Sequence, residues 1–502
     1  MKIEFWVHYK WLVVILPVFV LSVCTASLTD NTNPEDAVSS DTALNDTAPG
    51  GATVVYTTAY KGITLDKDGR LIPTAWAAGM VQTFETGKTP IREIYVSENG
   101  KNSNDGSYDS PLATIARAIK LAAPGTAIRI MPGIYTENLY TSNLRGNADN
   151  PIWIGGVPGM ERPQMRRIRI VGGSYIILHD MVLTGREQPV NLDDGGKRSN
   201  PQAAYNYVLR SIYAYNNDSV TFKFAGVNYV WIIDCEIGQI PGKGNVAAID
   251  FVGCDNAVVA YNYIHSIDSG YAIQLKGSSY HGDIHNNFFV NAGKRGVQMG
   301  GSTGADYYRP PLTDSTYEAR YIRTYSNIFI NGEMPFLFSS SRDCFFVNNT
   351  VVNAGGNLFR TVKENNSVAN GGNPHYNTVA NNIFFNSGNG WVSGKVGDAN
   401  GATNTLERNL FFPKGTPGSD SKLTFRNSIL SDPLFRNLSG NNFALLPKSP
   451  AIGAGTTLVD VSFASRDYYG NPFKNKRSIG AIEYYTLDAV PTATRNVNGY
   501  NR

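Results

Sequence analysis

Hydrophobic and polar positions alternate in short stretches through the middle of the chain, and one alternating phrase returns. It reads AIDFVGCDN at 248–256, AIQLKGSSY at 272–280 and GVQMGGSTG at 296–304, a spacing of 24 residues. In a strand, successive side chains point to opposite faces. Ile249 and Phe251 therefore share one face, and Asp250 takes the other. The same split sets Ile273 and Leu275 against Gln274 and Lys276, then Val297 and Met299 against Gln298. One copy earlier, VTFKFAG (220–226) fits the register with Phe222 and Phe224 inward and Lys223 outward. Stacked copies would build an apolar column inside. Outside, Lys223, Asp250, Gln274 and Gln298 would form a polar column, with Lys276 one pleat further along its strand.

A second phrase recurs out of phase with the first. It reads NYIHS (262–266), NFFVN (287–291), NIFIN (327–331), NTVVN (349–353) and NIFFN (382–386), with NLFFP (409–413) as a degenerate copy. Its first residues are 25, 40, 22, 33 and 27 apart. A base period with occasional longer insertions marks a solenoid whose coils carry loops. The closing Asn of most copies tolerates a left-handed turn, and stacked Asn side chains can bond along a ladder. The pattern predicts a parallel β-helix. SPLATIARAIKLAAPG (110–125) predicts a helix, with Ser110 as its cap and Leu112, Ile115, Ala116, Ile119 and Ala122 as its apolar stripe. Such a helix would cover the open end of the first coil. DPLFRN (432–437), ALLPKSPAIGAG (444–455) and SIGAIEYY (478–485) read as closing coils.

Composition adds limits. The chain has 502 residues, 44 basic and 41 acidic, for a net charge of +3, which gives no electrostatic case for nucleic acid. The expected state is a monomer. At the N-terminus, Lys2, His8 and Lys10 precede the apolar run 11–23, which Pro17 breaks. It reads as an export signal, short for a membrane span. LSVC (21–24) resembles a bacterial lipobox, which implies lipidation of Cys24; cleavage near Ala26 is the alternative. The expected organisation is a signal peptide over 1–24, a flexible linker over 25–52, an N-terminal extension over 53–90, the β-helix over 91–486 and a tail over 487–502. Cys235, Cys254 and Cys344 are too few for a disulfide framework and read as buried small residues.

YVSENGKNSNDGSYDSPLATIARAIKLAAPGTAIRIMPGIYTEN (95–138) resembles the opening of right-handed parallel β-helix proteins of the pectate-lyase-like superfamily. SDPLFRN…NNFALLPKSPAIGAG resembles their C-terminal coil. The resemblance implies an all-β fold, a right-handed parallel β-helix with an N-terminal capping helix. That fold hosts lyases, hydrolases, epimerases and non-enzymes. In style the chain is similar to polysaccharide lyases of the chondroitinase B and alginate lyase type, which implies an acidic polysaccharide as partner. Those carry a Lys on an outward strand face, an N…N coil and then an Arg. Lys276 matches the Lys, and Asn287 and Asn291 match the coil. Met299 stands where the Arg would fall, and Arg295 in the preceding turn is the substitute. The resemblance also implies calcium, but IDSGYAI (267–273) offers only Asp268 as an acidic ligand.

A β-eliminating lyase neutralises the carboxylate of a uronic acid, removes the C5 proton and returns a proton to the leaving oxygen. The candidate catalytic set is Lys276 as base, with Arg295 and Arg309 holding the carboxylate. Tyr271, Gln274, Lys294, Gln298 and Asp250 lie around it in the register. The insertion GGSTGADYYRPPLTD (300–314) brings Tyr307 and Tyr308, whose rings suit sugar faces. His265, one turn earlier, is another possible base. Against these stand plainer roles: Arg295 pairing with Asp268 or Asp283, Arg309 anchoring its own loop, and Glu318 and Arg320 tying the insertion down. Two other classes remain open. A glycoside hydrolase would use Asp250, and a glycan-binding surface protein would need the aromatics and Arg but not Lys276.

Overall fold

The computed structural model describes residues 81–485, apart from 242–243, 245, 314–315, 366–372, 386–402, 414–424 and 457–458. The signal peptide, Cys24, the linker, most of the N-terminal extension and the C-terminal tail lie outside the described residues.

The chain is a parallel β-helix, wound in the right-handed sense that parallel crossovers take. Each coil contributes strands to three sheets. The first sheet includes Thr126–Ile130, Ile152–Gly156, Val227–Ile233, Asp255–Ala260 and Ser279–His285. The second includes Glu236–Ile240, Tyr263–Ile267, Phe288–Ala292, Ile328–Ile330 and Thr350–Val352. The third runs through Val190–Asp193, Val220–Ala225, Ala247–Val252, Tyr271–Lys276, Arg295–Gly300, Phe336–Ser339 and Phe359–Val362.

The register of the third sheet is the one the alternation predicts. Phe222, Ile249, Ile273, Val297, Phe336 and Phe359 stack inward. Lys223, Asp250, Gln274 and Gln298 stack outward, with Leu337 next. The inward side chains join one core that extends from Ile94 to Phe411. Rings stack along it: Phe289 lies 4.4 Å from Phe329, and Phe336 lies 3.9 Å from Phe346. The three cysteines are free and buried, and burial pushes each thiol up to about 12.

The Asn-rich phrase divides its two roles between its two ends. The opening residues Asn262, Asn287, Asn327, Asn349, Asn382 and Asn409 are fully buried. Each amide donates to the side-chain oxygen of the next, at 2.9, 3.0, 3.0, 3.2 and 2.9 Å. The same oxygens accept the backbone N–H of the coil before, as Asn327 does from Asn287 at 2.9 Å. This satisfies corner groups that would otherwise be buried without partners. The closing Asn291, Asn331 and Asn353 take left-handed backbone, with φ of 50°, 58° and 58°.

Two expectations at the ends are corrected. The helix is Ile115–Leu121, capped by Thr114 rather than Ser110, and Thr114 accepts from the Arg117 N–H at 3.2 Å. Glu137 from the following strand accepts from the Ile115 N–H at 2.7 Å, so the next coil helps start the helix. Ala118 is buried and Ala116 exposed, because the helix begins a turn late. The segment read as closing coils does not continue the stack. Phe435–Asn437 and Asn442–Leu445 pair antiparallel, and the chain then runs back along the outside. Phe443, Leu445, Tyr468, Ile479 and Ile482 cover the outward side chains of the second sheet, among them Phe288, Ile328 and Ile383. Val461 and Ala464 cover Tyr325 and Val347 on the first. Corner amides buried under it fasten this strap: Asn286 donates to Tyr468 O at 3.0 Å and Asn348 to Ser478 O at 3.0 Å. Near the other end, Phe84 packs on Trp153, Ile177 and Val208 of the first sheet. Among the described residues, these covering clusters include no side chain of the third sheet.

Two predictions follow from this packing. Asn327→Ala strands the backbone N–H and side-chain amide of Asn287 on one side and takes a donor from the Asn349 side-chain oxygen on the other, at about 1–3 kcal/mol for each unsatisfied group. Urea denaturation should show a loss of that size, and a loss under about 0.5 kcal/mol, the range of ordinary surface substitutions, would deny the ladder its role. Asp467 in the strap is fully buried, and burial raises its carboxyl to about 7 despite backbone N–H donors from Asn471 and Glu483. The unfolded chain ionises there first, so stability should fall as pH rises from about 4 to about 7 and level off above. Melting curves across that range should flatten in Asp467→Asn.

Candidate functional site

The outer face of the third sheet carries a polar network that crosses successive coils. Asp250 lies between two ammonium groups. Lys223 from the preceding coil pairs with its Oδ2, and Lys276 Nζ from the following coil lies 3.9 Å from its Oδ1. Asp250 is 4% exposed, while both lysine side chains remain partly open. One coil on, Arg295 starts its strand and turns back over the face. Its Nη1 donates to Tyr271 Oη at 3.1 Å and to Gln298 Oε1 at 2.6 Å. The guanidinium also lies 5.1 Å from the Tyr271 ring centre, a cation–π distance. Burial pushes the Tyr271 hydroxyl up, Arg295 opposes this, and Glu364 and Asp250 add to it.

Glu364 is the residue that sequence reasoning missed. It follows the strand Phe359–Val362 and reaches back to Arg295, with Oε1 3.6 Å from Nη2. It accepts from Ser339 Oγ at 2.9 Å and from Gln298 Nε2 at 3.5 Å. Alternation predicts strand positions only, and Glu364 stands beyond its strand, so the pattern carried no signal for it.

The insertion after Gly300 packs on this network from above. Gly301 has room only for hydrogen: a Cβ there would lie 3.0 Å from Gln274 Nε2 and 3.2 Å from Lys276 Cδ. Gln274 and Gln298 are buried beneath it, so they support neighbours rather than present surface. Glu318 holds the base of the insertion. It is fully buried and accepts from the Gly277 N–H at 2.7 Å, the Thr303 N–H at 2.6 Å and Tyr308 Oη at 2.7 Å, and also from the Asn365 amide.

Several candidates are placed elsewhere. Arg309 does not face the network. It lies across Gly253 and Gly226 and meets Asp194 through two bonds, Nε to Oδ2 at 2.7 Å and Nη2 to Oδ1 at 3.1 Å. Its guanidinium therefore anchors the insertion and is unavailable to a substrate carboxylate. Tyr308 is fully buried against Glu318 and offers no ring to a sugar. Tyr307 does remain open, at 63% exposure. His265 belongs to the second sheet, where it stacks on Tyr263 and meets Glu236 at 3.2 Å. Lys294 is exposed in the turn before Arg295. Arg295 pairs with Glu364 rather than Asp268 or Asp283, and Asp283 is taken by Arg323. Calcium finds no fit: among the described residues no group of three or more His, Cys, Asp and Glu side chains is arranged for a metal. Asp250, the carboxylate beside Lys276, already faces two cations.

Comparisons with known proteins bear on the fold. Residues 98–141 match the model of a family described as Protein of unknown function (DUF1565). Over 46 residues the chain is 44% identical to the uncharacterized protein YwoF of Bacillus subtilis (strain 168), covering 9% of this chain and 10% of that protein. The chain thus matches about a tenth of the length of that curated relative. Pectate lyase Pel9A superposes with a TM-score of 0.50 at 14% identity, over 80% of this chain and 98% of the other. The chain has the pectate-lyase-like parallel β-helix fold. A rhamnogalacturonan lyase gives a TM-score of 0.49 at 17% identity, over 66% and 90% of the two chains. A GH136 lacto-N-biosidase from Eubacterium ramulus gives 0.46 at 12%, over 68% of each.

The Arg309–Asp194 pair yields a test of how the insertion is held. Removing one partner of a buried ion pair costs about 3–5 kcal/mol, because the other charge is left alone. Arg309→Ala should open the insertion to limited proteolysis near Tyr307. Arg309→Ala combined with Asp194→Ala should recover part of the lost stability.

Proposed function

We propose that the outer face of the third sheet binds an acidic glycan and cleaves it by β-elimination at a uronic acid. One observation carries this reading. The Tyr271 hydroxyl and Arg295 meet on the outer face of the third sheet, and Lys276 stands on the same face beside Asp250. Two cations there can neutralise a uronate carboxylate, which makes the neighbouring C5 proton acidic.

The surroundings redistribute the roles. A lysine that takes a proton needs cations around it, and Lys276 faces Asp250 instead. Lys276 and Arg295 are better placed to hold the substrate carboxylate. Tyr271 is the proton carrier: as phenolate it takes the C5 proton, and as phenol it gives a proton to the leaving oxygen. Arg295 at 3.1 Å stabilises the phenolate. The raised titration of Tyr271 makes the phenolate scarce at neutral pH, so the rate should climb as pH rises above neutral. C5 epimerisation begins with the same abstraction and would return the proton to C5 instead. Export to the cell envelope, with Cys24 lipidated, is part of the proposal and rests on the N-terminal sequence.

Glu364 supports a second reading, hydrolysis by a carboxylate pair with Asp250. Gln274 and Gln298 stand between the two residues along the column, and three strand spacings amount to about 14 Å, beyond the roughly 6.5–9.5 Å that inverting hydrolases use, which weakens this reading. The burial of Asp250 between two lysines disfavours it as the proton donor.

The purified protein should be incubated with alginate, pectate, chondroitin, dermatan and hyaluronan, and read by ultraviolet absorbance of the unsaturated product and by new reducing ends. A rising absorbance should drop roughly 10²–10⁴-fold in Tyr271→Phe, with comparable losses in Lys276→Ala and Arg295→Ala. Reducing ends without absorbance would replace elimination by hydrolysis. Binding without either signal would leave a glycan-binding face.

A further inference from the structure

The insertion after Gly300 leads from the polar network to a second concave place. Arg309 donates its backbone N–H to Gly277 O at 3.2 Å, lies across Gly253 and Gly226, and meets Asp194. The insertion therefore runs along the stack, from the strand of Lys276 to the loop that follows Val190–Asp193. There Pro311 faces Gly196, Lys197, Arg198, Ser199 and Asn200 across an open cleft of about 460 Å³, a volume in the range of small-ligand sites. The sheet register sets its distance from the network. Asp193 pairs with Ala225, Ala225 with Val252 and Val252 with Lys276. Three strand spacings amount to about 14 Å.

The cleft is basic. Lys197 is exposed, and Arg198 is half-buried with one Nη donating to the Asp306 carbonyl oxygen. Among the described residues no carboxylate pairs with either cation. The two carboxylates at the start of the loop are committed elsewhere. Asp193 faces Arg169 at 3.4 Å and accepts from the Gly195 N–H at 2.8 Å. Asp194 holds Arg309 and accepts from the Gly196 N–H at 2.9 Å. Asp306, exposed on the insertion, is left without a cation, so two positive groups stand against one negative. A concave place with excess charge of one sign concentrates ligands of the other, and a guanidinium with a neighbouring ammonium suits a carboxylate.

We propose that this cleft is a remote subsite for a carboxylate of an acidic glycan, held by Lys197 and Arg198. The chain would run from Lys276 toward the earlier coils beside the insertion, and a few sugars would span the gap. A short oligosaccharide reaches one place only, whereas a long one gains the second contact as an intramolecular step. This inference rests on acidic-glycan binding at the third sheet and adds the path of the chain. It does not depend on how the bond is broken.

The test is calorimetric titration with disaccharides and octasaccharides of alginate, polygalacturonate and hyaluronan, on the Tyr271→Phe form so that the ligands stay intact. The octasaccharide of at least one polymer should bind more tightly than its disaccharide. Lys197→Ala should weaken that octasaccharide about fivefold, the upper end of what an exposed ion pair contributes, and leave the disaccharide unchanged. Lys197→Glu should weaken it further. Lys197 is the residue to change because its side chain is exposed and holds no other part of the protein. Equal weakening at both lengths, or none at either, would overturn the subsite. Lys197-dependent binding without cleavage by the unmodified protein would support the subsite and remove the catalytic reading. Absence of binding to all three polymers would overturn both.

Discussion

Everything in this molecule depends on coil-to-coil register, and buried asparagines hold that register. A parallel stack has no hairpins to fix its alignment, and a slip of one residue would turn every inward side chain outward. Apolar stacking resists such a slip in proportion to the area lost, but it is directionless. The ladder from Asn262 to Asn409 is directional. Each rung accepts a backbone N–H from one coil and a side-chain amide from the same residue, so only one alignment satisfies all of them. Because the rungs are fully buried, a misaligned coil would strand polar groups without water.

From that register the functional face follows in two steps. The outward column of the third sheet is set once the inward column is set, since the pleat alternates. The strap and the segment near Phe84 then cover parts of the outer faces of the other two sheets. The strap is attached through the same corners that the coils provide: Asn286, Asn348 and Asn381 each spend their side chains on strap groups rather than on ladder neighbours alone.

The insertion after Gly300 adds a separate constraint. Glu318 and the Arg309–Asp194 pair fix it at two buried points, and Gly301 presses its backbone onto Lys276, Gln274 and Gln298. Residues that looked like ligands for a substrate, Arg309 and Tyr308, are the fasteners of this wall. The polar groups left partly open on this face include Lys223, Tyr271, Lys276, Arg295, Arg360 and Glu364.

The sequence by itself determined the solenoid, the inward and outward columns and the placing of Lys223, Asp250, Gln274, Lys276 and Gln298 on one face. It could do so because strand alternation and coil period are local, repeated properties, and each copy confirms the last. It also signalled that the Asn phrase matters, though not that the opening residue forms the ladder and the closing one the turn. Only the tertiary structure decided what the non-repeating segments do. The C-terminal stretch looked like further coils because its apolar residues suit either a core or a covering strap, and only contact with Phe288 and Ile383 distinguishes them. Arg309 took a role other than the one expected, and Glu364 was not expected at all, for the same reason. A charged side chain on a loop takes its meaning from the partner that folding brings to it, Asp194 in one case and Arg295 in the other, and those partners lie 115 and 69 residues away in sequence.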